Sequence, residues 1–143
     1  MKKLVIGCDH GGFDLKNEII AHLKERGFDI TDVGCDSTAS CDYPVYAKKV
    51  AEAVAAGEAE LGILVCGTGI GMSMAANKVP GIRAALCADC FSAQATREHN
   101  NANVLCLGAR TTGPGLALMI TDMFVDTEFS NDERHLRRLG MYN

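Results

Sequence analysis

The chain lacks the features that mark exported, membrane-spanning and disordered proteins. Met-Lys-Lys is followed by a six-residue LVIGCD stretch, which is too short for a signal-peptide core or a membrane span. The sequence also has no low-complexity tract and no run of like charges. We therefore expect a soluble, cytoplasmic protein that does not bind a membrane.

The charge and the cysteines exclude further classes. A net charge of −4 argues against a nucleic-acid-binding surface. The seven cysteines are odd in number and accompany no export signal, which argues against a disulfide framework. Cys87 and Cys90 form a CxxC pair, but no second pair completes a zinc site. We expect no metal and no cofactor, with a thiol redox protein as a competing interpretation of this pair.

The order of apolar and amphipathic runs predicts the fold class. With 143 residues, 48% of them hydrophobic, the chain suits a single domain over residues 1–143. Strands are predicted at 3–8, 28–33, 61–65, 82–87 and 103–107, and helices at 12–27, 45–56, 71–78, 90–99, 113–125 and 131–139. This alternation is typical of a doubly wound, Rossmann-like α/β/α sandwich with a five-stranded parallel sheet and a C-terminal helical extension.

Residues 60–77, ELGILVCGTGIGMSMAAN, carry the strongest functional signal. A buried strand there runs through Gly67, Gly69 and Gly71 into a helix, and glycines allow a sharp turn and a close approach to a ligand. Free N–H groups at the start of a helix favour an anion, and Cys66 beside them is favoured as a thiolate. A buried core cysteine is the competing interpretation, but this position favours a reactive one.

The same loop does not match the known nucleotide loops. Its spacing is GxGxG rather than GxGxxG, with Met72 where the last glycine would stand. It also lacks the Lys-Ser/Thr of a P-loop. A non-catalytic nucleotide-binding module is therefore a disfavoured alternative.

Other polar residues follow the predicted strands and helices. Ligands of doubly wound sheets bind at the carboxyl ends of the strands. The first strand leads to Asp9 and His10, which also fit a helix cap, and the fifth leads to Arg110. The fourth helix ends with His99 and Asn100, and His99 alone also suits an ordinary surface position.

The last predicted helix presents two arginines four residues apart. Arg134 and Arg138 share one helical face, which suits either a phosphate clamp or a solvated basic tail. Arg137 falls on another face, and the role of His135 is left open.

Five motifs in order resemble the ribose-5-phosphate isomerase B family, which includes the galactose-6-phosphate isomerase subunits. The motifs are GCDHGGFDLK at 7–16, DYP at 42–44, CGTGIGMSMAANKVPGIRAA at 66–85, REHNNANVLCLGAR at 97–110 and RHLRR at 134–138. The resemblance implies a metal-free aldose–ketose isomerase of phosphorylated sugars in the pentose phosphate pathway. It also implies a homodimer or tetramer with active sites at the subunit interface.

The resemblance also implies roles for individual residues. Cys66 resembles the catalytic base of the family, and His99 resembles its ring-opening acid. The positions that resemble ligand-binding residues are Asp9, His10, Gly67, Thr68, Gly69, Ile70, Gly71, Asn100, Arg110, Arg134 and Arg138.

The chemistry of such an isomerase divides these groups between two tasks. The reaction needs a base near C1 and C2, donors for an enediolate and an anchor for the phosphate. C2 of an extended pentose 5-phosphate lies roughly 6 Å from phosphorus. Cys66 could not reach C2 if its own loop held the phosphate, so we expect the loop to hold the enediolate oxygen and the arginines to hold the phosphate.

Two further expectations complete this interpretation. Thr68 is the third candidate catalytic residue, expected to hydrogen-bond near the reacting oxygens or to orient the thiolate. The expected reaction interconverts ribose 5-phosphate and ribulose 5-phosphate through a cis-enediolate. A hexose 6-phosphate isomerase, for allose or galactose 6-phosphate, remains open because the sequence does not give the pocket length.

Overall fold

The computed structural model describes residues 2–142. Its strands are β1 Lys3–Cys8, β2 Asp29–Asp32, β3 Leu61–Cys66, β4 Ala84–Leu86 and β5 Val104–Gly108. Its helices are α1 Phe13–Glu25, α2 Tyr43–Ala55, α3 Ile70–Ala76, α4 Cys90–Asn100, α5 Pro114–Asp126 and α6 Glu133–Leu139, and a 3-10 turn, His10–Gly12, precedes α1. The predicted alternation and the C-terminal helix are confirmed.

The five strands form one parallel sheet in the order β2-β1-β3-β5-β4. The chain leaves β1 towards one edge and then crosses over to β3 on the other side of β1. The carboxyl ends of β1 and β3 therefore flank the topological switch point, where doubly wound folds bind ligands. Cys66 ends β3 at this point, and Asp9 directly follows β1.

Burial separates the central strands from the edge strands. Every residue of β3 and β5 is buried, in the apolar runs LGILVC and VLCLG. The edge strand β2, DITD, is largely exposed, and β4 is half-buried. Continuous apolar runs are expected of strands that are covered on both faces.

Helices cover both faces of the sheet and create two cores. One core joins α1, α4 and α5 to the sheet and includes Ile19 and Phe124. The other lies under α2 and α3 and includes Val50 and Met72. Cys66 packs in this second core, so its side chain lies on the α2/α3 face.

Most element boundaries differ from the sequence prediction by a few residues, and two of the differences have clear local reasons. The predicted strand 82–87 shortens to β4 because the Arg83 N–H donates to the Asn103 side chain, 2.8 Å away, instead of joining the ladder. The helix predicted from Val45 starts at Tyr43, because Pro44 occupies the first turn, where its missing N–H leaves no bond unmade.

Candidate active site

The loop after β3 places Cys66 against the start of α3. Cys66 is 6% exposed, and its Sγ accepts a 3.0 Å hydrogen bond from the Gly69 N–H. The Thr68 Oγ1 accepts from the Ile70 N–H at 3.3 Å, so the Thr68 hydroxyl still has a proton to donate. The predicted cysteine at the start of a helix is therefore present, with one loop N–H aimed at its sulfur.

Packing requires glycine at two positions of this loop. Gly69 has a φ of +79°, and a Cβ there would lie 2.5 Å from the Leu86 Cδ1 and 3.0 Å from the Leu107 carbonyl carbon. A Cβ at Gly71 would lie 2.7 Å from the ring of Tyr43. The loop is thus wedged between β4, β5 and the first turn of α2.

Tyr43 is a site residue that sequence reasoning missed. Its ring covers Gly71 and is 40% exposed beside the Cys66 loop. The signal was its position in the DYP motif, which the sequence interpretation used for the family resemblance but not to name a site residue. A tyrosine offers a flat apolar face and one hydroxyl to a small polar ligand.

The turn after β1 abuts the Cys66 loop. Asp9 is 8% exposed, and its Oδ1 accepts from the N–H groups of Gly11 and Gly12 at 2.9 and 3.2 Å. Asp9 therefore caps the 3-10 turn. A Cβ at Gly11 would lie 3.5 Å from the Gly67 nitrogen, which brings this turn to the edge of the loop. Capping and a place on the site rim are both observed for Asp9.

His10 and Arg110 flank the same loop. His10 is exposed, and its Nδ1 accepts from the Cys41 N–H at 3.2 Å, so Nε2 is the nitrogen left to meet a ligand. The Arg110 N–H donates to the Gly67 carbonyl at 2.9 Å. The side chain of Arg110 passes over Gly67, with its Cδ 3.5 Å from where a Cβ would stand. His10 and Arg110 therefore both lie at the carboxyl end of the sheet.

His99 and Asn100 lie at the opposite end. Helix α4 starts beyond the carboxyl end of β4 and runs back along the sheet for 11 residues, a rise of about 15 Å. The Nε of Arg83, the residue before β4, donates to the carbonyls of Asn100 and Asn101 at 3.1 and 3.0 Å. These bonds fix the end of α4 at the amino end of the sheet.

The arginines of α6 gather around His99 rather than around Cys66. The His99 ring contacts the His135 ring on α6, with centroids 4.5 Å apart. Arg134 and Arg138 are both exposed on this short helix. Arg134 Nε also lies 3.4 Å from His135 Nε2. We call His99, Asn100, Arg134, His135 and Arg138 the histidine–arginine cluster.

One chain thus carries the predicted site residues as two separate groups. The carboxyl-end group contains Asp9, His10, Cys66 and its loop through Gly71, and Arg110. A cavity of about 570 Å³ lies at the amino end, lined in part by Asn100 and Tyr142, and it contains no residue of the Cys66 loop. The sequence interpretation expected active sites at the subunit interface, but it did not foresee that a whole helix length separates Cys66 from His99 within one chain.

Cys87 of the CxxC pair lacks the acidity of a reactive thiol. Burial, with Asp89 as a smaller cause, raises the pKa of Cys87 to about 11, whereas reactive CxxC cysteines have lowered pKa values. The seven cysteines are free thiols. Within residues 2–142, no group of three or more His, Cys, Asp or Glu side chains is placed to hold a metal ion. Over the same residues, no helix is long and apolar enough to cross a membrane.

Known proteins resemble this chain over nearly its whole length. A sequence model described as ribose/galactose isomerase matches residues 4–142. The ribose-5-phosphate isomerase B of Escherichia coli is 52% identical over 97% of this chain and 93% of its own. A galactose-6-phosphate isomerase subunit of Clostridium acetobutylicum is 46% identical over 87% of this chain and 72% of its own.

The fold gives the same result as the sequence comparisons. The solved structure of Clostridium thermocellum ribose-5-phosphate isomerase B superposes with a TM-score of 0.95 at 52% identity, covering 97% of this chain and 93% of the other. The sequence comparisons and the fold comparison both indicate the same family, and Cys66 lies at the switch point where such folds bind ligands. The chain belongs to the ribose/galactose isomerase family.

Proposed function

We propose that this protein is a cytoplasmic sugar-phosphate isomerase that interconverts ribose 5-phosphate and ribulose 5-phosphate. The observation that carries the proposal is the Cys66 Sγ at the switch point, held 3.0 Å from the Gly69 N–H. The similarity to ribose-5-phosphate isomerase B over 97% of the chain supports the substrate class.

In the proposed reaction Cys66 moves one proton between two carbons. The thiolate takes the proton from C2 of the open-chain aldose, and the electron pair of that C–H bond forms the double bond of a cis-enediolate. The Cys66 thiol then protonates C1 while the hydroxyl proton of O2 passes to O1, which leaves a hydroxyl at C1 and the carbonyl at C2. No oxidant or reductant is needed, because C1 is reduced as C2 is oxidised within one molecule.

The loop supplies the donors for the enediolate. The N–H groups of Gly69 and Ile70 already donate to Cys66 and Thr68. The N–H groups of Gly67, Thr68 and Gly71 would therefore donate to the enediolate oxygens. The free Thr68 hydroxyl proton would add one more donor at the reacting oxygens. Fixed donors at a developing oxyanion are each worth about 10²-fold in rate.

Ring opening and phosphate binding fall to the other groups. His99 would move the proton that opens the furanose, with Asp9 Oδ2 holding a sugar hydroxyl and Asn100 beside them. The phosphate, roughly 6 Å from C2, would be held by hydrogen-bond donors beyond the loop. These are His10 and Arg110 from one side and Arg134 and Arg138 from the other.

This division requires two chains for each site. Cys66 and His99 lie at opposite ends of one sheet, so the histidine–arginine cluster acting on Cys66 must come from a partner copy. A two-fold dimer forms two such sites, because the carboxyl end of each chain then meets the histidine–arginine cluster of its partner. A tetramer built from such dimers would keep the same sites.

Exposed apolar side chains at both ends support this pairing. Tyr43 and Leu86 contact the Cys66 loop and Ile70 belongs to it, while Met74 follows on α3 and Phe91 lies at the start of α4. Each of these five side chains is at least 40% exposed, and we call them the apolar rim. Leu136, Met141 and Tyr142 are exposed near the histidine–arginine cluster, each at least 50%. Apolar and aromatic patches of this kind mark protein–protein interfaces.

A hexose 6-phosphate is the alternative substrate, favoured by the similarity to a galactose-6-phosphate isomerase subunit. The test is a coupled assay of the purified protein on ribose 5-phosphate, allose 6-phosphate and galactose 6-phosphate, with EDTA present. We expect the highest kcat/KM on ribose 5-phosphate, unchanged by EDTA. A preference for either hexose phosphate would favour the alternative. ATP binding without turnover of any sugar phosphate would favour a nucleotide-binding module.

A further inference from the structure

His135 is a buried histidine whose neighbours are both candidate site residues. It is 6% exposed, although it lies on the short surface helix α6. Its ring contacts the ring of His99, with centroids 4.5 Å apart and planes tilted by 38°. Its Nε2 meets the Arg134 Nε at 3.4 Å. The proposed reaction as described above does not use it.

The hydrogen bonds fix which ring nitrogen of His135 carries the proton. The Arg134 Nε–H can only donate, so the His135 Nε2 must accept. The proton of the neutral ring is then on Nδ1, which donates to the Ser130 Oγ at 2.8 Å. The Asp132 N–H donates to the same oxygen at 3.2 Å and holds it in place.

The charges around the ring favour this neutral form. Burial lowers the pKa of His135, and His99, Arg134 and Arg138 lower it further, while Asp132 opposes them. An imidazolium here would lose the bond from Arg134 and would stand beside the positive charges of Arg134 and Arg138. His135 is therefore suited to accept from Arg134 and not to act as an acid itself.

We propose that His135 is a positioning residue that holds the His99 ring by stacking and the Arg134 guanidinium through Nε2. This inference rests on the proposed isomerase function. One buried ring would then align the group that opens the sugar ring and a group that binds its phosphate, before substrate arrives. Fixing both groups in advance saves the cost of ordering two exposed side chains on binding.

Two substitutions separate the two contacts. His135→Phe keeps a flat ring against His99 but removes the acceptor for Arg134. His135→Gln keeps an acceptor oxygen near the position of Nε2 but removes the ring. A residue that only filled space would affect binding and turnover together in both variants.

The measurements are kcat on ribose 5-phosphate and the inhibition constant of inorganic phosphate. For His135→Phe we expect phosphate inhibition to weaken about tenfold with kcat within about threefold of wild type. For His135→Gln we expect kcat to fall about tenfold with phosphate inhibition within about threefold. His22→Gln is the matched control, since His22 makes one 2.8 Å side-chain hydrogen bond to Asp122 on another surface.

Folding is checked by thermal melting and by the oligomeric state of each variant. If either His135 variant fails to fold, Ser130→Ala replaces it, because Ser130 is exposed. This substitution keeps the His135 ring but removes the acceptor that holds its proton on Nδ1. That variant should weaken phosphate inhibition about threefold at unchanged kcat. Equal losses of kcat and phosphate inhibition in every variant, or no loss at all, would overturn the positioning role. An inactive wild-type protein would instead overturn the proposed function.

Discussion

The two ends of the parallel sheet carry different groups of candidate site residues, to which the proposed mechanism assigns different steps. At the carboxyl end, β1, β3 and β5 converge and hold Cys66, Asp9 and Arg110 through backbone contacts between neighbouring loops. At the amino end, the side chains of α4 and α6 hold one another, as His99 and His135 do. The strand order of the sheet brings the first group together, whereas the packing of α4 against α6 brings the second group together. In the proposed mechanism neither group completes an isomerisation alone, and the predictions below act on one end at a time.

The largest effect is expected from Cys66→Ala. Removal of the proposed base should lower kcat on ribose 5-phosphate about 10³-fold or more, while substrate binding changes little. The comparison is steady-state turnover together with calorimetric binding of ribulose 5-phosphate. Cys90→Ser, a half-buried cysteine outside the loop, is the matched control and should keep wild-type turnover. Substantial turnover by Cys66→Ala would remove the base from the carboxyl end.

His99→Asn should separate the two ends by the step that each performs. Turnover of ribose 5-phosphate, which is mostly ring-closed, should fall about 10²-fold. Ribulose 5-phosphate cannot form a five-membered ring through its phosphorylated terminal oxygen. Exchange of its C1 proton with deuterated water therefore needs only Cys66 and the exchange of the Cys66 thiol proton with the solvent. NMR should show this exchange close to wild type in His99→Asn and absent in Cys66→Ala. Equal loss of exchange in both variants would contradict a ring-opening role for His99.

Gly69→Ala tests how firmly the carboxyl end is built. Gly57 has nearly the same φ, +78°, but a Cβ there meets no atom within 4 Å. Gly57→Ala should therefore lower the free energy of unfolding by about 1 kcal/mol, from backbone strain alone. Gly69→Ala adds crowding against Leu86 and Leu107 and should cost about 3 kcal/mol, with a lower kcat. Urea unfolding measures both, and equal costs would show that the loop is not wedged.

The smallest expected effect is on the pH dependence of stability and concerns Cys87. This residue directly follows β4, in a position similar to that of Cys66 at the end of β3. Burial raises the pKa of Cys87 from its ordinary value of 9.0 to about 11, so the folded state keeps a proton that the unfolded state loses. This contribution to stability is complete below pH 9 and is lost as the pH rises towards 11. The fall in unfolding free energy between pH 8 and 10.5 should be smaller in Cys87→Ala than in wild type. Equal falls would show that this thiol does not remain neutral.

Much of the fold was readable because its signals are local. The central strands are apolar runs that end in glycines or polar residues, and β3 was predicted to within one residue of its end. The predicted range of β4 was too long, because the Arg83 N–H donates to the side chain of Asn103, which is distant in sequence. Sequence alone could not foresee such a tertiary hydrogen bond.

The sequence was enough to name candidate site residues but not to predict where they lie relative to one another. Cys66 and its glycines are adjacent in sequence, so one motif contains them. The distance from Cys66 to His99 depends on the direction in which α4 returns along the sheet. Tyr43 and His135 were missed or left open because their partners, Gly71 and His99, are contacts of the folded chain. Only the structure shows that the two halves lie apart.

The most direct test of this two-ended account is subunit complementation. Cys66→Ala and His99→Ala proteins, each inactive alone, are unfolded together in equal amounts and refolded, and turnover of ribose 5-phosphate is measured. If each site takes Cys66 from one chain and His99 from its partner, half of the dimers are mixed and each has one intact site, so activity should return to about a quarter of wild type. A mixture as inactive as its two components would contradict the account.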